Sequence, residues 1–195
     1  MRWIVVDGID GSGKSTHASW TRTHYEERGE RVLVRIHPSP TWIGRRARRA
    51  LEGHGKLMQL LATLFFILDV LDSVRRLRKE SEQYDTIVFV RYLMATAYLP
   101  EKYAPTGYDF FAKILPRPRR LLLVDVDPEV AHSRIRERQH VMEMFEDMES
   151  LRKVRKKVLL LAHRGGWRII DNSVSEVEAK ANLISCLEDW DANAA

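Results

Sequence analysis

The chain has 195 residues, 45% of them hydrophobic and 30% charged, which suits one domain with a sizeable core and excludes a disordered or fibrous protein. Its one cysteine, Cys186, excludes an intramolecular disulfide framework and a thiolate metal cluster. The net charge of +5 comes from dispersed groups at helical spacing (Arg45 to Arg49, Arg75 to Lys79, Arg117 to Arg120, Arg152 to Lys157) mixed with acids. That pattern reads as solvated helix faces and not as a nucleic-acid surface.

The apolar run Trp3-Ile4-Val5-Val6 reads as a strand, and Met1 leads straight into it. This leaves no room for a signal or transit peptide and points to the cytoplasm. Directly after it, Gly8-Ile9-Asp10-Gly11-Ser12-Gly13-Lys14-Ser15-Thr16 fits the phosphate-binding pattern GxxxxGK[ST]. The glycines let the backbone curl so that its N–H groups point at phosphate oxygens, and a following helix presents its positive end to the same charge. Lys14 is expected to span the β- and γ-phosphates, and the Ser15 hydroxyl to reach Mg²⁺. The chain is therefore expected to handle a nucleoside triphosphate.

A helix is expected from Lys14 to about Arg28, stopped at Gly29, followed by a strand over Arg31–Ile36 that ends at His37-Pro38-Ser39-Pro40. A short helix from about Ile43 to Glu52 and the break Gly53-His54-Gly55 lead to a long helix, Leu57 to Lys79. Its apolar residues cover most of the circumference, so it is either a central core helix or one whose second side packs in a dimer. The run Leu60–Leu71, broken by Thr63 and Asp69, is too short to span a membrane. Strands follow at Thr86–Val90, Leu121–Val126 and Trp167–Ile170. Helices are expected around Asp109–Ile114 within a Pro100–Pro118 connection, from Asp127-Pro128-Glu129 to about Arg138, from about Glu146 to His163, and from Ser175 to Trp190. Alternating buried strands and helices imply an α/β domain with a five-stranded parallel sheet covered on both faces.

Taken together, these landmarks resemble the thymidylate kinase family of nucleoside monophosphate kinases over the whole chain. The segments that carry the resemblance are the loop GIDGSGKST, Arg91-Tyr92 after the third strand, Ala97-Tyr98, Leu123 to Ala131, Phe145-Glu146, Ile170-Asp171, and Ser173 to Val177. The resemblance implies a single P-loop kinase domain over residues 1–195 with a mobile lid at about 138–146, acting as a homodimer. It implies transfer of the γ-phosphoryl group of ATP, with Mg²⁺, to a deoxynucleoside monophosphate, most directly dTMP. By the same resemblance Asp10 would bind the acceptor's sugar hydroxyl, Arg91 its phosphate, Phe66 would stack on its base, Pro38 would line the base pocket, and Tyr98 belongs to the acceptor site. Gly11 places the chain in the branch whose lid supplies the catalytic arginine, for which Arg134, Arg136 and Arg138 are candidates. Arg134 and Arg138, at i and i+4, share a helix face.

Three positions depart from the family pattern. Val90 replaces the Asp before Arg91, Val70 stands where an arginine helps read the thymine edge, and Met144 replaces a lid arginine. The first removes a carboxylate from the metal-phosphate end; Asp7 and Asp125, at strand ends, are candidate substitutes for holding a magnesium-bound water. Restoring the acid in Val90→Asp is expected to raise turnover, unless Val90 packs apolar side chains. The second puts the preference for thymine in doubt. Two other readings stay open: a kinase for a different nucleotide acceptor, and a nucleotide-binding paralogue that transfers phosphate poorly.

Overall fold

The computed structural model describes residues 1–53, 56–137 and 147–193. His54-Gly55, Arg138 and the lid expected over 138–146, with Met144 and Phe145-Glu146, lie outside the described residues.

Five strands, β1 (Arg2–Asp7), β2 (Val32–Ile36), β3 (Thr86–Val90), β4 (Arg120–Asp125) and β5 (Arg168–Asp171), form one parallel sheet in the order β2-β3-β1-β4-β5. β1 lies in the middle, with Val6 opposite Val90 on one side and Leu122 on the other. All three are buried on both faces, which is why their sequences read as continuous apolar runs without alternation. The helices are α1 (Lys14–Glu26), α2 (Trp42–Leu51), α3 (Lys56–Glu80), α4 (Ala104–Ile114), α5 (Pro128–Glu137), α6 (Met148–Gly165) and α7 (Glu176–Ala192). Val5, Ile87, Phe89, Leu121 and Leu123 point into one apolar layer, shared with Val70 and Leu77 of α3 and Val154 and Val158 of α6. Ile4, Val6, Val88, Val90, Leu122 and Val124 point into the other, beneath Ala18 of α1 and Leu183 and Leu187 of α7.

Two elements differ from expectation. α4 begins at Ala104, a turn and more ahead of Asp109, because Pro105 sits in the first turn of the helix, where its missing N–H has no partner to lose. A 3-10 turn over Leu93–Tyr98 carries no hydrophobic period in its sequence and was not expected. The α3 helix is not wrapped on all sides: Ala62, Val70 and Leu77 are buried, whereas Leu64 and Leu68 are 49% and 41% exposed.

Val90 is 1% exposed and sits in the apolar layer under α1, not at an open metal-phosphate end. The expected gain in turnover from Val90→Asp is corrected accordingly, because the new carboxylate would replace apolar packing. A buried carboxylate without a partner costs several kcal/mol. Val90→Asp is expected to lose at least about 3 kcal/mol, lowering the melting temperature by roughly 6–12 °C with no rise in turnover. Calorimetry and a turnover assay on one preparation check this.

Candidate active site

The phosphate loop connects β1 to α1, and its shape follows from three glycines in left-handed conformations: Gly8 (φ 156), Gly11 (φ 76) and Gly13 (φ 89). Substitution meets backbone as well: a Cβ on Gly8 would lie 2.4 Å from the Val124 carbonyl oxygen, and one on Gly11 2.5 Å from that of Ala131. Gly13 caps α1 without a side-chain hydrogen bond, and the first turn holds no acid. The positive end of α1 is thereby left for an external anion, which the residues present fit. The fully buried Ser12 hydroxyl oxygen has no hydrogen-bond partner, while Ser15 and Thr16 are exposed at the first turn.

Lys14 is folded into the loop, donating to the Ile9 carbonyl oxygen at 2.5 Å and lying 3.4 Å from Asp10 Oδ1. Burial pushes its pKa down to about 8, against the opposing pull of Asp10. Its ammonium is therefore present below that pH and lost above it. Affinity for a non-hydrolysable ATP analogue, followed by fluorescence, is expected to fall about tenfold between pH 7 and pH 9, and not to fall in Lys14→Ala.

Asp10 is the hub of the charges. It accepts from Arg91 Nη2 through Oδ1 and from the Tyr98 hydroxyl through Oδ2 at 2.9 Å. Burial alone would raise its pKa, but Arg91, Lys14 and the Tyr98 hydrogen bond outweigh it and hold the carboxyl well below the usual carboxylate range. Arg91 directly follows β3 with φ 64, the sole non-glycine residue with positive φ among those described. Such a conformation is uncommon for a side chain of this size and clusters at functional sites. It places the guanidinium over the carboxyl ends of β1 and β3, where open α/β sheets bind ligands.

A cleft opens beside this cluster, with about 950 Å³ of empty space when its mouth is included. Asp10, Pro38, Phe66, Arg91 and Tyr98, all singled out from the sequence, share its wall with Val70. The His37-Pro38 peptide bond is cis. The loop it begins is tied to α3 by Asp69, which accepts from the Ser39 N–H at 2.6 Å, from the Ser39 hydroxyl, and from the Thr41 hydroxyl at 3.1 Å. Asp69 is thus a structural anchor one residue before the cleft-lining Val70.

Two expected roles change. Both oxygens of Asp125 accept from Arg155, at 2.9 and 2.8 Å, so this carboxylate is paired with a guanidinium and is not open to a metal. Asp7 accepts from the N–H groups of Gly8 (3.0 Å), Tyr92 (2.8 Å) and Met94 (3.2 Å), clamping the segment after β3 onto β1. Its burial raises its pKa despite these bonds. Among the described residues no group of three or more His, Cys, Asp or Glu side chains could hold a metal ion by itself. Arg134 reaches the far side of the loop, donating to the Asn172 carbonyl at 3.1 Å, while Arg136 is exposed. Asn172 was missed from the sequence; its amide donates to the Ser12 carbonyl at 2.8 Å and braces the loop from β5. Arg155 was missed as well, hidden in a basic run that reads as a solvated helix face.

A family model described as thymidylate kinase matches residues 6–184. The chain belongs to the thymidylate kinase family. It is 31% identical over 190 residues to a probable thymidylate kinase of Pyrobaculum calidifontis, covering 95% of each chain. A probable thymidylate kinase of Metallosphaera sedula is 31% identical over 175 residues (89% of this chain, 86% of the other). A thymidylate kinase of Bordetella petrii is 27% identical over 192 residues (93% and 92%). Among solved structures, thymidylate kinase from Candida albicans superposes with a TM-score of 0.76 at 20% identity, covering 96% of this chain and 91% of that one. That likeness establishes the fold of this thymidylate kinase family member as the P-loop nucleoside monophosphate kinase type. No helix among the described residues is long and apolar enough to cross a membrane.

Proposed function

We propose that the protein catalyses ATP-dependent phosphorylation of dTMP to dTDP in the cytoplasm. The observation that carries this reading is the cluster of Lys14, Asp10, Arg91 and Tyr98 at the junction of a phosphate loop and an apolar cleft. Phosphoryl transfer needs little covalent chemistry from the protein and much positioning of negative oxygens, which this junction supplies. The backbone of Gly8 to Gly13 and the first turn of α1 hold the triphosphate, and Lys14 turns from Asp10 toward its phosphates. Arg91 takes the acceptor's phosphate, Asp10 its sugar hydroxyl, and Phe66 and Pro38 its base. Arg134 or Arg138 supplies the lid arginine. The Ser15 hydroxyl would hold Mg²⁺, which would supply neutralisation of phosphate charge. A coupled ADP-release assay over a panel of nucleoside monophosphates tests the reading: dTMP-dependent ADP release is expected, and no release with any monophosphate overturns it.

The same protein is proposed to act as a homodimer through α3. Leu64 and Leu68, four residues apart on one face, are exposed large apolar side chains with Phe65 and Leu61 beside them. Light scattering at micromolar concentration is expected to give twice the chain mass, and Leu64→Glu with Leu68→Glu to give the single mass. A monomeric wild type counts against the interface.

A further inference from the structure

His37 directly follows β2, is fully buried, and precedes the cleft-lining Pro38. Its Nδ1 lies 3.0 Å from the Arg91 carbonyl oxygen and 3.3 Å from that of Val90, and its Nε2 lies 2.9 Å from the Ser73 hydroxyl of α3. Carbonyl oxygens only accept, so these partners set the tautomer: Nδ1 carries the proton and donates, and Nε2 accepts from Ser73. Burial pushes the imidazole pKa down to about 4, against the pull of Asp69, so the ring is neutral at physiological pH and keeps that tautomer. The ring also meets Phe66 and Phe89 edge to face, with centroids 6.2 and 5.2 Å away.

A non-glycine residue keeps a φ like that of Arg91 (64°) only where its surroundings over-determine it. Three hydrogen bonds do so here. The Arg91 N–H donates to the Val6 carbonyl at 3.1 Å, the next N–H, that of Tyr92, donates to Asp7 at 2.8 Å, and the Arg91 carbonyl accepts from His37. The first two fasten Arg91 to β1; the third ties it to the end of β2 and, through Ser73, to α3. His37 meets the other end of Arg91 as well, because Arg91 Nη1 donates to the His37 carbonyl oxygen at 3.5 Å. Without the imidazole donor the peptide between Arg91 and Tyr92 loses one of its holds, and a rotation there re-aims the Cα–Cβ bond that carries the guanidinium.

We propose that His37 is a positioning residue for the acceptor's phosphate: its Nδ1–H, braced through Ser73, fixes the Arg91 carbonyl and thereby aims the Arg91 guanidinium at the monophosphate. This rests on the acceptor reading of Arg91 given above. Two replacements separate aim from packing, since both take the ring away from Phe66 and Phe89. The side-chain amide nitrogen of asparagine can stand in for Nδ1, and that of glutamine for Nε2. Calorimetry gives Kd for dTMP, for thymidine, which lacks the phosphate, and for a non-hydrolysable ATP analogue. In His37→Gln the preference for dTMP over thymidine is expected to fall about tenfold or more, in His37→Asn to stay within about threefold of wild type, and Kd for the ATP analogue to stay within about twofold in both. A preference unchanged in His37→Gln, or lowered equally in the two variants, overturns the inference, as does a parallel loss of ATP-analogue affinity. If thermal melting shows either variant to be unfolded, Ser73→Ala decides, because it keeps the imidazole and removes only its brace. A fall of about threefold in the same preference is expected there, and an unchanged preference overturns the inference. Wild-type protein that binds dTMP no tighter than thymidine overturns the phosphate role of Arg91 and the inference with it. Tight dTMP binding without turnover overturns only the kinase reading, and the Kd comparison still decides the role of His37.

Discussion

Replacing Lys14 by alanine is expected to lower kcat/KM for phosphoryl transfer by at least about 10³-fold, equivalent to roughly 4 kcal/mol of transition-state stabilisation. The reason is geometric. The loop's other donors are hydroxyls and backbone N–H groups shaped by Gly8, Gly11 and Gly13, all uncharged, so Lys14 is the cationic side chain within it that can follow charge as it moves between donor and acceptor. Its contacts in the present structure, to the Ile9 carbonyl and to Asp10, are within the loop itself. Asp10 keeps Arg91 and Tyr98 when Lys14 is gone, so the fold is expected to survive. Steady-state kinetics with circular dichroism and thermal melting on the same variant check both halves. Wild-type turnover in a folded Lys14→Ala protein would remove the loop from the chemistry and with it the proposed function.

Arg91→Lys is expected to cost about a hundredfold in kcat/KM for dTMP, roughly 2.7 kcal/mol, although the charge is kept. A guanidinium presents a planar fork that binds two oxygens at once, while an ammonium offers one mobile point charge. In this structure Arg91 is aimed by an unusual backbone conformation (φ 64) and by its pairing with Asp10, so its direction is set before any substrate arrives. Lysine at the same backbone position would still pair with Asp10 but could not also span a phosphate edge. The loss should fall on the acceptor and spare the affinity for ATP, which kinetics with each substrate varied in turn will separate. Unchanged acceptor kinetics would mean that the monophosphate is gripped elsewhere.

Every strand was legible along the chain, and the helices too except for the start of α4 and the 3-10 turn over Leu93–Tyr98, because β1, β3 and β4 are continuous apolar runs and most helices carry their own start and stop signals. The phosphate loop was legible for a sharper reason: three glycines and a lysine at fixed spacing state a backbone curvature and a charge in the same nine residues. Asp10, Pro38, Phe66, Arg91 and Tyr98 were picked out through a family resemblance, and they share one cleft wall.

What the sequence left open are the facts that depend on distant residues meeting. After Thr86, the run Ile87-Val88-Phe89-Val90 is apolar at every position, so its pattern says that both faces are covered but not which layer Val90 enters. Only the packing of α1 over that face decides it, and with it the fate of an added carboxylate. Asp125 at a strand end looked available for a metal until α6 brought Arg155 onto both of its oxygens from 30 residues away. Asp10 and Arg91 are 81 residues apart and Asn172 braces Ser12 from 160 away. A local pattern fixes curvature, periodicity and burial, because these depend on neighbours along the chain. Pairings of charges and hydrogen bonds across the sheet are set by strand order and helix docking, which only the assembled fold determines.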